Sequence, residues 1–171
     1  MLEEPEDLKL DAGCVNFVAL GRLCHQKGYD LMLETFAAAC EQRRDLRLYI
    51  IGDGPDREAL EKQRDELGLR EKVSFLGNQA NPYAYMSKMD AFLSTSRYEG
   101  QPLNIMEAMA VGLPLYCAKN LEKYTEGLQG CEDLVGAIAA AQKEDRHPDD
   151  LAAYNTRILQ ELEALAAREE N

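Results

Sequence analysis

The sequence predicts an α/β fold in which helices cover both faces of one open parallel sheet. Three observations support this class: short apolar runs alternate with segments of helical periodicity, the connections between them are short, and glycines follow several of the runs. Strands that are each followed by a helix run parallel, because the helix carries the chain back across the sheet.

The first part of the chain supplies three predicted strands and two predicted helices. The strands are apolar runs at residues 15–20, 46–51 and 73–76. The helices are expected at residues 29–41 and 55–67. The first helix places Leu33, Phe36 and Cys40 at helical spacing, whereas the second is charged and amphipathic. Gly77 follows the third strand and ends it.

The second part of the chain continues the alternation. Further strands are predicted at residues 91–94 and 115–117, and further helices at residues 81–88 and 102–111. Pro102 suits a first helical position, where a missing N–H costs nothing, and Gly112 with Pro114 marks the other end of that helix. Beyond Cys131 the pattern is helical, and it predicts a long last helix over residues 149–167.

Composition favours one globular domain at residues 15–171, preceded by a charged lead-in at residues 1–14. Apolar residues make up 46% of the 171 residues, which supports a hydrophobic core and excludes disorder. The formal net charge of −12 argues against nucleic acid as a partner and against binding to anionic lipid by bulk charge. No apolar run is long enough to predict a membrane span.

The cysteines and the N-terminal residues indicate a cytoplasmic protein. The five cysteines are odd in number and include no CxxC pair: Cys14, Cys24, Cys40, Cys117 and Cys131. They predict reduced thiols and no zinc site. The first seven residues are acidic and therefore unlike a signal peptide.

Three loops are candidates for a ligand site, because open parallel sheets bind ligands at the carboxyl ends of their strands. They are residues 21–28, 52–55 and 94–102. The first loop carries Arg22 and Lys27 between two glycines, a pair suited to phosphate oxygens. Two solvated surface cations would give the same pattern. We interpret His25, in the same loop, as a surface residue or turn partner.

The second loop, residues 52–55, resembles part of a dinucleotide-binding fingerprint. The third glycine of that fingerprint is missing, and Pro55 occupies the expected helix start. We therefore favour a tight turn in which Asp53 caps the following helix. Contact of this loop with a ligand stays open.

The third loop leads into a helix flanked by two carboxylates, Glu99 before its start and Glu107 inside it. A helix N-terminus attracts anions, whereas carboxylates accept hydrogen bonds from hydroxyls. Together they suit a nucleotide sugar, which carries both groups. Ordinary surface charges are the alternative, but Glu107 lies in the most apolar helix of the chain, where an unpaired carboxylate is costly.

Several of these segments, in this order, resemble the C-terminal domain of the retaining glycosyltransferases of GT-B fold, group 1 or family 4. The resemblance runs from residue 15 to residue 111, and more loosely to the end. It rests on four segments: residues 21–28, 51–55, 73–77 and 99–114. It implies a Rossmann-like domain that forms one half of a GT-B enzyme and binds the nucleotide-sugar donor.

The resemblance also implies roles for four side chains. Arg22 and Lys27 match the cations that bind the donor diphosphate. Glu99 matches the carboxylate that binds hydroxyls of the donor sugar, and Glu107 matches the one that receives the ribose hydroxyls. Of these, Glu99, Arg22 and Lys27 are the expected catalytic residues.

Backbone amides complete the expected site. The amides after Gly100, including those of Leu103 and Asn104, match donors to sugar or phosphate oxygens. Cations and a helix dipole can stabilise a leaving diphosphate, so we expect neither a metal ion nor another cofactor. Two departures from the family pattern stand out. Gln101-Pro102 replaces a Phe-Gly type pair, and after Pro114 the usual glycine-bearing loop that leads to a further Glu is not evident, so the roles of Glu122 and Glu126 are open.

The implied activity is retaining transfer of a hexose-type sugar from a nucleotide sugar to a glycan or lipid-linked acceptor in bacterial surface polysaccharide synthesis. A GT-B enzyme needs two such domains, so we expect a separate N-terminal acceptor domain and no transfer by this chain alone. The full-length protein is expected in the cytoplasm, with peripheral attachment at the inner membrane face as an option. Two alternatives stay open: the nucleotide domain of another GT-B enzyme, such as a nucleotide-sugar epimerase, and a non-catalytic nucleotide-binding module.

Overall fold

The computed structural model describes residues 8, 10–125 and 128–143, which form a five-stranded sheet covered by helices. The strands are β1 (Val15–Leu20), β2 (Leu46–Ile51), β3 (Val73–Gly77), β4 (Ala91–Ser94) and β5 (Leu115–Cys117). Their order is β3-β2-β1-β4-β5, and every pairing is parallel. The predicted fold class is confirmed, with β3 longer by Gly77 than the sequence predicted.

Among the described residues, five α-helices connect or follow the strands: α1 (Tyr29–Gln42), α2 (Arg57–Glu66), α3 (Pro82–Met86), α4 (Leu103–Ala110) and α5 (Leu134–Ala140). Two 3₁₀ segments lie at His25–Lys27 and Lys119–Tyr124. Beyond Cys131 the described residues contain helix α5, as predicted, and residues 141–143 after it are not helical. The predicted last helix at residues 149–167 and most of the lead-in lie outside the described residues.

The starts of two helices differ from the predictions. Helix α2 begins at Arg57, after a turn that contains Pro55. The prediction that Asp53 caps this helix is wrong: its carboxylate accepts from the adjacent Gly54 N–H at 2.7 Å, since it lies too far ahead of the first turn. Helix α4 begins at Leu103, and Pro102 is its N-cap residue.

Alternating strand residues build two cores, one on each face of the sheet. Phe17 packs with Leu33 and Phe36 of α1 on the first face, which α2 and α5 also cover. Val18 packs on the second face with residues of α3 and α4, among them Ile105. Successive strand side chains point to opposite faces, so β1 is buried on both.

The strand order places a ligand crevice between β1 and β4. The chain builds outward from β1 to β2 and β3, and then crosses back to add β4 and β5 on the other side. In open parallel sheets, such a change in strand order creates a crevice at the carboxyl ends of the two strands, where ligands bind. Among the described helices, none has the length and apolar character needed to cross a membrane.

Candidate functional site

Two loops meet at this crevice: the β1 loop (residues 21–28) and the β4 loop (residues 95–102). The Arg97 N–H donates to the Gln26 carbonyl at 2.9 Å, and the Gln26 side chain donates to the Tyr98 carbonyl at 3.2 Å. The Thr95 hydroxyl donates to the Gly28 carbonyl at 2.8 Å. These bonds fix the two loops against each other, although about 70 residues separate them in the chain.

Gly28 permits the closest approach of the two loops. Its φ of 65° lies in the left-handed region, which favours glycine. A methyl group at this position would lie 2.3 Å from the Thr95 carbonyl oxygen, which is backbone and cannot move aside. The glycine that precedes α1 is therefore required by both conformation and space.

Arg97 joins the loops through its side chain. Its guanidinium donates to both carboxylate oxygens of Asp30 at 2.7 and 2.5 Å, and to the His25 carbonyl at 2.9 Å. The hydrogen bonds from Arg97 lower the pKa of Asp30, and the same bonds raise the pKa of Arg97. Sequence reasoning missed Arg97; the signal was its position two residues before Glu99 on a strand-end loop. His25 contributes its carbonyl, in agreement with a turn partner.

Lys27 and Glu99, one from each loop, form an ion pair at the centre of this junction. The Lys27 ammonium lies 2.8 and 3.1 Å from the two carboxylate oxygens of Glu99. The Glu99 side chain is only 2% exposed, and that of Lys27 is 18% exposed. The structure thus brings together two predicted site residues that are 72 positions apart.

The start of α4 follows directly after Glu99. Within the described part of the chain, the backbone N–H groups of Gly100, Gln101 and Asn104 have no hydrogen-bond acceptor. The N–H of Leu103, in contrast, donates to the Gln101 carbonyl at 2.9 Å. Unpaired donors at a helix N-terminus form a site suited to anions or polar oxygens.

Asn104 has a structural role that the sequence did not indicate. Its side-chain amide donates to the Leu20 carbonyl at 2.9 Å, and its side-chain oxygen accepts the Ile105 N–H at 3.1 Å. The side chain is buried and ties α4 to the end of β1. The backbone N–H of Asn104 stays available for the ligand-binding role expected of this residue.

Glu107 lies one turn further along α4 and is half-buried. The Tyr83 hydroxyl of α3 donates to its Oε1 atom at 2.8 Å. This hydrogen bond, together with burial, raises the pKa of Tyr83. Tyr83 is therefore a protein partner of this carboxylate, and the expected contact of Glu107 with ribose hydroxyls stays a prediction.

A cleft of about 360 Å³ opens at the carboxyl ends of β1 and β2. Arg22, which is exposed, lines it. The other lining residues lie at or after the ends of β1, β2 and β3: Leu20, Gly21, Ile51, Gly52, Asp53, Asn78, Gln79 and Pro82. Pro82 directly precedes Tyr83, the residue that donates to Glu107. Arg22 and Lys27 lie in the same loop, but Arg22 lines the cleft whereas Lys27 pairs with Glu99.

The glycines of the second loop serve backbone packing. Methyl groups at Gly52 and Gly54 would lie 2.0 Å from the Gly21 carbonyl oxygen and 2.2 Å from that of Leu23. Leu23 also donates to the Asp53 carbonyl at 3.0 Å. The tight-turn interpretation thus accounts for both glycines, while Gly52 and Asp53 also line the cleft.

The remaining candidates are placed as follows. The Glu122 carboxylate accepts the Gly130 N–H at 2.8 Å and pairs with Lys119 at 3.0 Å, so it holds a loop together. Glu126 lies outside the described residues. No cluster of three His, Cys, Asp or Glu side chains able to hold a metal ion occurs in the described ranges. All five cysteines fall in those ranges, and each is a free thiol.

Comparisons with known proteins bear on this geometry. The sequence model of the family described as Glycosyl transferases group 1 matches residues 3–128. The chain is 34% identical over 144 residues to the lipopolysaccharide core biosynthesis glycosyltransferase LpsD of Rhizobium meliloti, and this match covers 80% of the chain and 41% of LpsD. The chain spans less than half the length of the curated relatives it matches.

Two solved structures share the fold. HepE of Anabaena, in complex with UDP and glucose, aligns with a TM-score of 0.64 at 22% identity, over 90% of this chain and 49% of HepE. The C-terminal domain of a glycosyl transferase group 1 family protein, LpcC of Francisella tularensis, aligns with a TM-score of 0.61 at 22% identity. That alignment covers 72% of this chain and 71% of the LpcC domain.

Proposed function

This chain belongs to the family of glycosyl transferases group 1, and from that premise we propose that it is the donor-binding domain of a retaining glycosyltransferase. Its substrate is a nucleotide sugar from which a hexose-type sugar passes to a glycan or lipid-linked acceptor. Relatives named for lipopolysaccharide core biosynthesis support a role in bacterial surface polysaccharide synthesis. The acidic, disulfide-free chain supports a cytoplasmic location for the reaction.

The observation that carries the proposal is the Lys27–Glu99 pair beside the start of α4. A cation, a buried carboxylate and unpaired N–H groups lie within one short stretch of the crevice between β1 and β4. A sugar diphosphate offers partners to all three, because its phosphates accept hydrogen bonds and its sugar hydroxyls donate them. A ligand with phosphate alone would leave the carboxylate without a new donor.

We assign the remaining groups of the site to other parts of the nucleotide sugar, which would lie along the cleft. Arg22 and Lys27 hold the diphosphate, and Glu99 accepts hydrogen bonds from the sugar hydroxyls. Glu107 receives the ribose hydroxyls, and the cleft beside it, lined by Arg22 and Pro82, takes the nucleoside. The backbone donors at Gly100 and Asn104 bind sugar or phosphate oxygens.

The proposed transfer proceeds with retention. The bond between the anomeric carbon and the diphosphate oxygen breaks, while the acceptor hydroxyl oxygen bonds to that carbon from the same face and passes its proton to the departing diphosphate. Negative charge grows on the leaving diphosphate, and Lys27, Arg22 and the α4 dipole stabilise it. We propose that these charges act without a metal ion.

Thermal shift and calorimetry with UDP-, GDP-, ADP- and CDP-sugars test the proposal. One of these ligands, at about one hundred times its dissociation constant, is expected to add ~2.7 kcal/mol to the free energy of unfolding. The corresponding nucleoside monophosphate serves as a control, because it lacks the second phosphate. Absence of a shift with all four nucleotide sugars at millimolar concentration would overturn the proposed function.

A further inference from the structure

We propose that Tyr83 is a positioning residue that orients the Glu107 carboxylate for the ribose of the donor. The inference rests on the proposed function, because it takes Glu107 as the acceptor of the ribose hydroxyls. The observation behind it is the 2.8 Å hydrogen bond from the Tyr83 hydroxyl to Oε1 of Glu107, which joins α3 to α4.

The hydrogen bond occupies Oε1 of the Glu107 carboxylate and leaves Oε2 available to a ligand. In the described part of the chain, Tyr83 is the hydrogen-bond partner of Glu107, and its bond is to Oε1. A carboxylate accepts about four hydrogen bonds, so Oε2 and the second lone pair of Oε1 are left for two vicinal hydroxyls. Without Tyr83, a half-buried glutamate side chain samples several rotamers, and the ligand must order it at the expense of affinity.

Helix α3 is fixed well enough to hold the tyrosine. The Asn81 side chain caps it by accepting the Ala84 N–H at 3.4 Å, and the fixed φ of Pro82 suits its first turn. Met86, on the opposite end, is fully buried in the core. The whole Tyr83 residue is 39% exposed, so its hydroxyl is bound to Glu107 without being part of the core.

The hydroxyl of Tyr83 stays a donor across the physiological range. The hydrogen bond to Glu107 and partial burial both raise its pKa above the ordinary value for tyrosine. A lysine or histidine in the same place would add a positive charge that competes with Arg22 and Lys27 for the diphosphate. A neutral donor orients the carboxylate and leaves its negative charge available to the ribose.

The test is Tyr83→Phe, which removes the hydroxyl and keeps the ring. Calorimetry first identifies the best ligand among UDP, GDP, ADP and CDP, and then compares it with its 2′-deoxy form. In the wild-type chain we expect the 2′-deoxy ligand to bind about tenfold more weakly, because one hydrogen bond to a charged group is lost. In Tyr83→Phe we expect this ratio to fall to about threefold or less, and the melting temperature to fall by no more than a few degrees.

Tyr85→Phe is the matched control, since it removes a hydroxyl two positions along the same helix. A ratio that stays at the wild-type value in Tyr85→Phe and falls in Tyr83→Phe supports the inference. A merely structural effect would weaken both ligands equally and leave the ratio unchanged, and that result would overturn it. If the wild-type chain binds none of the four nucleotides, the proposed function fails and the inference fails with it.

A double-mutant cycle with Glu107→Ala gives a second readout. If Tyr83 acts through Glu107, then Tyr83→Phe changes the ribose ratio in the wild-type background and has no further effect in Glu107→Ala. An equal effect in both backgrounds would show that the tyrosine contacts the ligand itself, and it would overturn the positioning role.

Discussion

Glu99 is a carboxylate almost without contact to solvent, and one ammonium group compensates it. Burial of an ionised carboxylate is costly unless a cation and hydrogen bonds replace the lost water. The Lys27 ammonium lies within hydrogen-bond distance of both Glu99 oxygens, which satisfies this requirement. The same two groups are the proposed contacts to phosphate and sugar, so removal of either one affects both folding and binding.

We expect Lys27→Ala to lower stability and to weaken binding of a nucleoside diphosphate at least about tenfold, because a charge-assisted hydrogen bond contributes roughly 1.5–3 kcal/mol. The stability falls because the variant leaves the buried Glu99 charge uncompensated. Adding Glu99→Gln is expected to restore most of the stability and none of the diphosphate affinity. Urea unfolding and calorimetry measure the two effects separately.

Lys62→Ala is the control for that pair of measurements. Lys62 lies on the exposed face of α2, with its ammonium 3.6 Å from Glu66. The variant changes the net charge by the same amount as Lys27→Ala and is expected to leave both quantities close to wild type. Equal diphosphate affinity in Lys27→Ala and Lys62→Ala would contradict the assignment of Lys27.

At the scale of elements, the junction of the β1 and β4 loops depends on Gly28. We expect Gly28→Ala to lower the free energy of unfolding by more than the ~1–2 kcal/mol that a left-handed conformation costs a residue with a side chain. The additional loss arises because the new methyl group meets the Thr95 carbonyl oxygen at 2.3 Å. Separation of the loops is also expected to pull Lys27 away from Glu99 and weaken nucleotide binding.

Gly68→Ala separates the cost of a left-handed backbone conformation from the steric clash of the added methyl group. Gly68 has a similar φ of 69°, but no atom lies within 4 Å of a methyl group placed there. This variant is therefore expected to show only the conformational loss and full nucleotide affinity. Similar unfolding free energies for the two variants, measured in urea, would show that the loops can separate without strain.

The Asp30–Arg97 pair makes the same junction sensitive to acid. Because Arg97 holds the pKa of Asp30 below its ordinary value of 3.8, the pair stabilises the fold fully above that value. The stabilisation is lost as the pH falls through the lower pKa of the folded state. Both side chains are partly exposed, so we expect its size to be about 1 kcal/mol or less.

Asp30→Asn tests this pH dependence. Unfolding free energies in urea are expected to differ between the variant and the wild type at pH 7, and the difference should shrink toward about pH 3. An unchanged difference at the two pH values would mean that the carboxylate acts through its shape or backbone contacts instead of its charge.

The elements of the fold could be predicted from sequence because each is encoded locally. The strand runs, the spacing in α1 and the proline and glycine at the ends of α4 are all short-range patterns. The contacts of the site are not: Arg97 meets Asp30 across 67 positions, and Tyr83 meets Glu107 across 24. Asn104 illustrates the same limit of local patterns. Its position at a helix start does not show that its side-chain amide donates to the Leu20 carbonyl.

At the scale of the whole molecule, the chain matches 41% of the length of LpsD. The proposed roles of the described residues all concern the donor: cations for the diphosphate and carboxylates for the sugar and the ribose. An acceptor must be aligned and water excluded before transfer is efficient, which in a GT-B enzyme requires closure of two domains.

We therefore expect this 171-residue chain to bind a nucleotide sugar and to transfer no sugar by itself. The measurement is mass spectrometry of products formed with a labelled donor and a panel of glycan and lipid acceptors. Hydrolysis of the donor, followed in the same reactions, distinguishes slow loss to water from transfer. Efficient product formation by the purified chain would overturn this expectation and require an acceptor site among its own residues.

The Lys27–Glu99 pair also has a consequence for turnover. With the proposed roles, binding is an exchange: Lys27 turns part of its charge to the diphosphate, and Glu99 accepts sugar hydroxyls in place of the ammonium. The intact donor supplies both replacements, whereas the spent nucleotide supplies only the first. The spent nucleotide gives Glu99 no hydroxyl partner, so the return of the Lys27 ammonium to Glu99 opposes binding of the spent nucleotide more than binding of the donor. This difference favours product release and limits product inhibition.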